Sequence, residues 1–83
     1  MKTWFVYMLR CNDNSLYTGI TTDLDRRLRE HNHSERLAAR YTRARRPLTL
    51  VWNEVHTSRS SALIREAQLK KMNRQAKEKL LNQ

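Results

Sequence analysis

Two short apolar runs separated by a polar turn constrain the fold of this chain more than any other feature. The runs cover residues 2–10 and 16–21, and residues 12–15 between them read Asn-Asp-Asn-Ser. Side chains of these types bond the neighbouring backbone and tolerate turn geometry. We therefore predict that the two runs fold back on each other as a β-hairpin.

The alternation of residues along each run predicts which side chains share a face of the hairpin. If Leu9 pairs with Tyr17, Gly19 lies opposite Tyr7, where its missing side chain leaves room. One face then holds Phe5, Tyr7, Leu9, Tyr17 and Gly19. A slip of one residue would separate the two tyrosines.

A helix is predicted to begin after Thr22, which has the spacing of a capping box with Asp25. The helical period puts Arg27 at the edge of an inward stripe and Arg26 in solvent. The inward stripe is Leu24, Leu28 and His31. The solvent side is Asp25, Arg26, Arg29 and Glu30. Of three neighbouring arginines, only Arg27 is then aimed inward.

The rest of the chain predicts one more strand and two more helices. A helical turn or two is expected over residues 36–41, and a third strand over 48–56, with Leu48, Leu50 and Trp52 on one side. A helix follows from within 57–61 to about Met72, and Asn73 caps a last helix through Leu81. The inward arc of the longer helix is predicted to hold Ala62, Leu63, Glu66, Ala67, Leu69 and Lys70.

These elements predict a single α/β (α+β) domain over residues 1–83, with a small three-stranded, mainly antiparallel sheet flanked by helices. One cysteine, Cys11, with no second cysteine or histidine at zinc spacing, indicates a reduced cytoplasmic protein without a structural metal. No long apolar run, signal-peptide pattern or basic amphipathic helix indicates a membrane.

The formal net charge of +9 points to nucleic acid as the partner. Much of the excess lies in the segment 33–46, where few acids balance the arginines. Repulsion within this segment favours phosphate contacts over a merely solvated loop. The phosphate-contact candidates are Arg36, Arg40, Arg43, Arg45 and Arg46.

Glu66 is the most informative acid, because it falls within an apolar arc. A carboxylate there is costly unless it is paired or binds a metal. Pairing with Arg27 or Lys70 is the structural alternative to a metal site.

The spacing of Tyr7, Tyr17, Gly19, Arg27 and His31 resembles the GIY-YIG nuclease family, and the likeness spans nearly the whole chain. It is closest to the small single-domain bacterial members and more distant from the N-terminal nuclease domain of the excision-repair endonuclease UvrC. The two triplets read Phe5-Val6-Tyr7 and Tyr17-Thr18-Gly19 here, and Ile20 stands where some members have lysine. A run at 41–43 also resembles the small members.

The resemblance implies a GIY-YIG fold and catalytic roles for Tyr7, Tyr17, Arg27, His31 and Glu66. Glu66 would anchor one Mg²⁺ or Mn²⁺, Arg27 would bind the scissile phosphate, and either tyrosine would orient or deprotonate water. His31 would assist as acid, base or donor. Lys70 and Asn73 are weaker candidates for substrate contact, and Gly19 is grouped with them. Each residue also has a structural alternative in the core.

We therefore expect a metal-dependent endonuclease acting on DNA rather than RNA, with structure-specific cleavage or DNA repair and processing as its context. The alternative is a basic nucleic-acid-binding module whose site is idle and which acts with a partner. A third hypothesis is an interaction protein that recruits a larger complex. The absence of a separate recognition module favours a partner protein that supplies specificity.

Overall fold

The computed structural model describes residues 2–82, which form three strands and four helices. The strands are β1 (Trp4–Arg10), β2 (Leu16–Thr21) and β3 (Thr49–His56), and the helices are α1 (Leu24–His33), α2 (Arg40–Arg43), α3 (Arg59–Lys71) and α4 (Arg74–Leu81). The strand order is β2-β1-β3, and both neighbours of β1 are antiparallel to it. The predicted three-stranded sheet with flanking helices is confirmed.

The hairpin has the predicted register. Leu9 pairs with Tyr17, and Tyr7 pairs with Gly19. In the turn, Asp13 accepts hydrogen bonds from the backbone and the hydroxyl of Ser15. Asn14 adopts φ 70°, a left-handed conformation that asparagine tolerates better than most residues. The turn residues therefore set the register that brings the tyrosines together.

Helices cover both faces of the sheet, and we name each face after the helix on it. On the α1 face, four buried residues cluster with side chains from β2, β3 and α1; they are Tyr7, Leu9, Cys11 and Leu48. On the α3 face, the buried cluster is Val6, Ala62 and Leu69, and partly buried residues such as Trp52 and Leu80 pack against it. Alternation along β1 assigns successive residues to opposite faces.

A bulge in β3 corrects one predicted alignment. Met8 pairs with Trp52 but Leu9 pairs with Leu50, which leaves Val51 as an extra residue between them. Leu50 therefore packs on the α1 face and Trp52 on the α3 face. The prediction that Leu50 and Trp52 share one side was wrong, because simple alternation cannot register an inserted residue.

The inward arc of α3 was also partly wrong. Ala62 and Leu69 are fully buried, but Leu63 is 37% exposed and Ala67 and Lys70 are exposed. The buried stripe of α3 is thus narrower than predicted. Only residues that lie one or two helical turns from each other, and therefore on the same side of the helix, contact the sheet. Glu66 lies on that stripe, between Ala62 and Leu69.

Two helix boundaries differ from the predictions, and one agrees. Asp23, not Thr22, caps α1, because its side chain accepts from the backbone N–H of Arg26 at 3.1 Å. The basic segment forms its short helix, α2, four residues later than expected. Asn73 caps α4 as predicted, with its side chain accepting from Ala76 N–H. None of the helices within residues 2–82 has the length and apolarity needed to cross a membrane.

Candidate active site

A hydrogen bond between two buried side chains lies at the centre of the site. Tyr7 Oη is 2.9 Å from His31 Nε2, and the two residues are 2% and 0% exposed. β1 aims Tyr7 toward the α1 face, and the inward stripe of α1 aims His31 at it. A Cβ on Gly19 would lie 2.5 Å from Tyr7 Oη and 2.7 Å from its Cζ. Gly19, predicted to contact substrate, therefore makes room for the Tyr7 ring.

Tyr17 lies beside this pair, on the neighbouring strand. Its ring centroid is 6.5 Å from that of Tyr7 and 5.2 Å, edge-on, from that of His31. Tyr17 also stacks on Tyr41 at 6.0 Å, and the guanidinium of Arg45 covers Tyr41 at 3.8 Å. The β2 strand and the basic segment are thus joined through aromatic contacts that the sequence did not indicate.

Arg27 faces the site, as predicted. Its side chain is 24% exposed, whereas that of Arg26 is 53% exposed. Arg27 Nη1 donates to Glu30 Oε1 at 2.9 Å and to the carbonyl of Leu37 at 2.7 Å. Glu30, expected in solvent, is only 20% exposed because it pairs with Arg27. The carboxylate that pairs with Arg27 is thus Glu30 rather than Glu66.

The surroundings of Tyr7 and His31 favour the neutral form of both. Burial, with a smaller contribution from Tyr17, raises the pKa of Tyr7 to about 12, although Arg27 acts in the opposite direction. Burial, followed by the positive charge of Arg27, lowers the pKa of His31 to about 4, and Glu30 partly opposes this. At neutral pH a protonated phenol therefore faces a neutral imidazole.

Glu66 lies on α3, with a side chain that is 18% exposed, and its charge is felt at Tyr7, whose pKa it raises. Glu66 Oε2 is 3.4 Å from Lys70 Nζ, and the Lys70 side chain is 55% exposed. Residues 2–82 contain no cluster of three or more His, Cys, Asp or Glu side chains suited to a metal. A hydrated Mg²⁺ needs only one or two protein carboxylates, so Glu66 fits such an ion if waters and a substrate phosphate complete its shell.

The arginines of the basic segment divide into two groups. Arg46 donates to the carbonyls of His31 and Ser34 and pairs with Glu35 at 2.8 Å. Arg45 pairs with Asp13, and Arg43 donates to the carbonyl of Glu35. The expectation that few acids balance these arginines does not hold for Arg45 and Arg46, which have acidic partners, whereas Arg43 bonds only a carbonyl. In contrast, Arg36 and Arg40 are exposed, and their side chains make no hydrogen bond or ion pair to another residue of 2–82.

The two remaining substrate candidates differ in their availability. Asn73 uses its side-chain oxygen to cap α4, with Oδ1 2.8 Å from Ala76 N. Lys70 lines a cavity of about 250 Å³ beside Tyr17. The cavity is lined by Leu16, Tyr17, Thr18, Tyr41, Lys70 and Lys77. Lys77, which the sequence analysis did not single out, thus lies near Tyr17 together with Lys70.

Thr42 is a second residue that sequence reasoning missed. It is fully buried, and its Oγ1 is 2.8 Å from His31 Nδ1 and donates to the carbonyl of Ala39 at 2.9 Å. A hydroxyl therefore contacts the imidazole on the side opposite Tyr7. The one indication in the sequence was the run at 41–43, whose resemblance to small GIY-YIG members carried no role.

Comparison with known proteins places this fold and site in one class. Residues 3–80 match the family described as the GIY-YIG catalytic domain, and the chain belongs to that family, which is of nuclease type. Within it, the chain is similar to proteins named UPF0213. It is 50% identical over 76 residues to one from Haloquadratum walsbyi, covering 92% of this chain and 83% of that one.

Two further relatives extend the similarity to the full length and to solved structures. A UPF0213 protein of Syntrophus aciditrophicus is 49% identical over 83 residues, covering 100% of this chain and 94% of the relative. The solution NMR structure of a UPF0213 protein from Bacillus halodurans superposes with a TM-score of 0.62 at 40% identity, covering 96% of this chain and 83% of that one. These matches confirm the predicted family and fold.

Proposed function

We propose that this protein is a divalent-metal-dependent endonuclease that hydrolyses phosphodiester bonds in DNA. The observation that carries the proposal is the buried hydrogen bond between Tyr7 and His31, with Tyr17 and Arg27 around it. A hydroxyl, an imidazole and a guanidinium at one point are the groups needed to move a proton and hold a phosphate. The formal net charge of +9 favours a polyanionic substrate.

Arg27 is suited to bind the scissile phosphate. The hydrogen bonds to Glu30 and Leu37 both leave from Nη1. The guanidinium has five N–H donors, so its other nitrogens remain for a phosphate oxygen. A planar fork that Glu30 already holds in place loses little freedom when it binds.

Tyr7 and His31 are suited to activate water together. Tyr7 would accept a proton from the attacking water while passing its own proton to His31 Nε2. The water oxygen then bonds to phosphorus, the bond from phosphorus to the leaving oxygen breaks, and that oxygen takes a proton from solvent. The low pKa of His31 resists this transfer in the free protein. An anionic phosphate beside Arg27 would offset the positive charge that contributes to this low pKa.

Glu66 would hold the Mg²⁺ or Mn²⁺ ion together with waters and the substrate. Bound there, the ion would neutralise charge on the phosphoryl oxygens. Lys70 is mostly exposed, so it can leave Glu66 when the ion binds. Lys70 and Lys77 would then contact phosphates on either side of the cavity beside Tyr17. We further propose a cytoplasmic setting, which the single free cysteine favours, and a role in DNA repair or processing.

The test is incubation of pure protein with branched, flapped and linear DNA plus magnesium or manganese, with a chelator as control. Arg27→Lys should lose most cleavage, because an ammonium does not reproduce a planar fork. Arg26→Lys is the matched control, since Arg26 is exposed on the same helix. Equal losses in the two variants would contradict the role of Arg27.

Glu66→Gln tests the metal assignment separately. The variant should lose cleavage but keep its fold, because its ion pair with the exposed Lys70 is worth about 1 kcal/mol or less. Magnesium should raise the melting temperature of the parent and leave that of the variant unchanged. A large loss of stability without metal would instead show that Glu66 is a structural residue.

One observation favours the second candidate, a nucleic-acid-binding module with an idle site. In the free protein the groups of the site already satisfy one another, since Tyr7 bonds His31, and Arg27 bonds Glu30. Such a module would bind DNA or RNA with the salt dependence expected of an active nuclease of the same charge, but it would cleave neither. Binding without metal-dependent cleavage on any of the three DNA forms would establish this candidate.

A further inference from the structure

Thr42 contacts His31 at the ring nitrogen opposite the one that faces Tyr7. Thr42 belongs to α2 and is fully buried, as is His31. We propose that Thr42 is a positioning residue that fixes the tautomer of His31, with the proton on Nδ1 and the lone pair on Nε2 facing Tyr7. Its effect on cleavage rests on the proposed function, whereas the tautomer is a property of the free protein.

The hydrogen bonds of Thr42 indicate which nitrogen of His31 carries the proton. A hydroxyl has one proton, and that of Thr42 points to the carbonyl of Ala39 at 2.9 Å. Toward His31 Nδ1, at 2.8 Å, Thr42 Oγ1 then acts as an acceptor. Nδ1 must therefore carry the proton, which leaves Nε2 as an acceptor.

The contacts of Tyr7 are compatible with this tautomer. Tyr7 Oη lies 2.9 Å from His31 Nε2, and a hydroxyl can donate or accept at that distance. With Nε2 unprotonated, the buried phenol proton has an acceptor. Thr42 therefore decides which of the two ring nitrogens carries the proton.

The chain of bonds therefore has one direction, from Tyr7 through His31 and Thr42 to the carbonyl of Ala39. When Tyr7 passes its proton to Nε2, the imidazolium that forms has both N–H groups bonded, one to Thr42 and one to Tyr7. The opposite tautomer would have no lone pair at Nε2 to receive that proton. Thr42 thus keeps the receiving atom of the proposed base open.

The position of Thr42 is itself held by backbone contacts. Its carbonyl accepts from Arg45 N–H at 3.0 Å, and its own N–H donates to the carbonyl of Ala39 at 3.1 Å. Arg46 donates to the carbonyl of His31 at 2.7 Å. Arg45 therefore fixes the turn that follows Thr42, and Arg46 ties the segment after α2 to the end of α1.

The experiment is long-range proton–nitrogen correlation NMR on protein labelled with ¹⁵N-histidine, at neutral pH and without metal or DNA. We expect His31 to show a protonated Nδ1 and an unprotonated Nε2. His33, which is exposed, serves as the solvent-exposed histidine for comparison. A protonated Nε2 on His31 in the parent protein would overturn the proposal, whether or not any variant folds.

Two variants test the part played by the hydroxyl. Thr42→Val keeps the shape of the side chain but removes the acceptor, so His31 should shift toward the Nε2-protonated form. Thr42→Ser keeps the hydroxyl and should restore the parent spectrum. An unchanged tautomer in a folded Thr42→Val protein would also overturn the proposal.

Cleavage assays separate the two proposals. Thr42→Val should lower kcat about 10- to 100-fold with little change in KM, and Thr42→Ser should recover most of it. If the parent protein has the expected tautomer but cleaves no DNA, the proposed function fails while the role of Thr42 stands. If cleavage is metal-dependent but the tautomer is the opposite one, the role of Thr42 fails alone.

Discussion

The two faces of the sheet are covered by helices in the same way but bury different chemistry. On the α3 face the buried side chains of Val6, Ala62 and Leu69 are apolar, and the buried hydroxyl of Thr18 lacks a partner within residues 2–82. On the α1 face three buried polar groups bond one another in a chain; they belong to Tyr7, His31 and Thr42.

This difference teaches how a small domain divides its tasks. Apolar burial on the α3 face gives stability in proportion to the area removed from water. The buried hydrogen bonds on the α1 face mostly replace bonds to water, so their net contribution to stability is modest. Their main consequence is geometric, because each group has one satisfied orientation. We therefore expect substitutions on the two faces to affect different measurements.

The largest expected effect on stability comes from Leu69→Ala on the α3 face. Leu69 is fully buried, so its truncation should cost about 2–5 kcal/mol of unfolding free energy. Leu63→Ala, on the same helix but 37% exposed, is the matched control and should cost markedly less. Urea unfolding measures both. Similar losses would mean that the wider predicted arc of α3 was right after all.

His31, on the α1 face, should make the unfolding free energy of the protein depend on pH. Its folded pKa of about 4 lies below the ordinary 6.5, so the unfolded chain binds the proton more tightly. The contribution of neutral His31 to the unfolding free energy is complete above pH 6.5 and is lost as pH falls toward 4. The total loss is about 3 kcal/mol. Urea midpoints across this range measure the slope.

His31→Gln should flatten that slope, whatever it does to stability at neutral pH. Asp13 and Glu78 also have lowered pKa values, held down by hydrogen bonds from Ser15 and Arg10 respectively. They act with the same sign but at lower pH. Glu78→Gln is therefore the control that should leave the slope above pH 5 intact. If it removes the slope instead, His31 is not its source.

Gly19→Ala should disturb the α1 face with a smaller cost. The added Cβ would meet the Tyr7 ring at 2.7 Å, so the ring must shift and its hydrogen bond to His31 would be disturbed. Overpacking of this kind costs about 1–3 kcal/mol. The same change in a Tyr7→Leu background should cost less, because the obstructing ring is absent. A double-mutant cycle measures the coupling, and a value near zero would contradict the close approach.

The smallest expected effect concerns the arginines that border the α1 face. Arg36→Ala should flatten the log–log dependence of DNA binding on salt by about one unit if Arg36 contacts a phosphate. Arg46→Ala should instead lower stability, because Arg46 bonds two carbonyls and Glu35. Salt titrations and unfolding curves distinguish the two. Salt-independent binding would remove the basic segment from the interface.

The sequence predicted local pairing well and long-range contacts poorly. The register of Leu9 with Tyr17 followed from alternation and a polar turn, and the inward position of His31 followed from the helical period. The cap of α1 was missed because Thr22 and Asp23 are both good capping residues and stand side by side. The bulge at Val51 was missed because it depends on how β3 meets β1.

The candidate site shows the same limit. Spacing identified Tyr7, Tyr17, Arg27 and His31, which the fold brings together, and Glu66, whose charge reaches Tyr7. Neither Thr42 nor the internal partners of Arg45 and Arg46 followed from spacing, because those contacts form only when the segment after α1 packs back on α1 and on the hairpin turn. Their roles in catalysis remain predictions.

The close approach of Gly19 to Tyr7 makes the order of mutations matter over evolutionary time. Gly19 is the chain's one glycine, and any side chain there meets the Tyr7 ring first. A lineage that replaces Gly19 while Tyr7 is present passes through a strained protein, whereas one that first shrinks Tyr7 does not. Loss of the tyrosine therefore opens position 19 to other residues, and each such residue then blocks the tyrosine's return. Loss of Tyr7 followed by replacement of Gly19 is therefore hard to reverse by single substitutions.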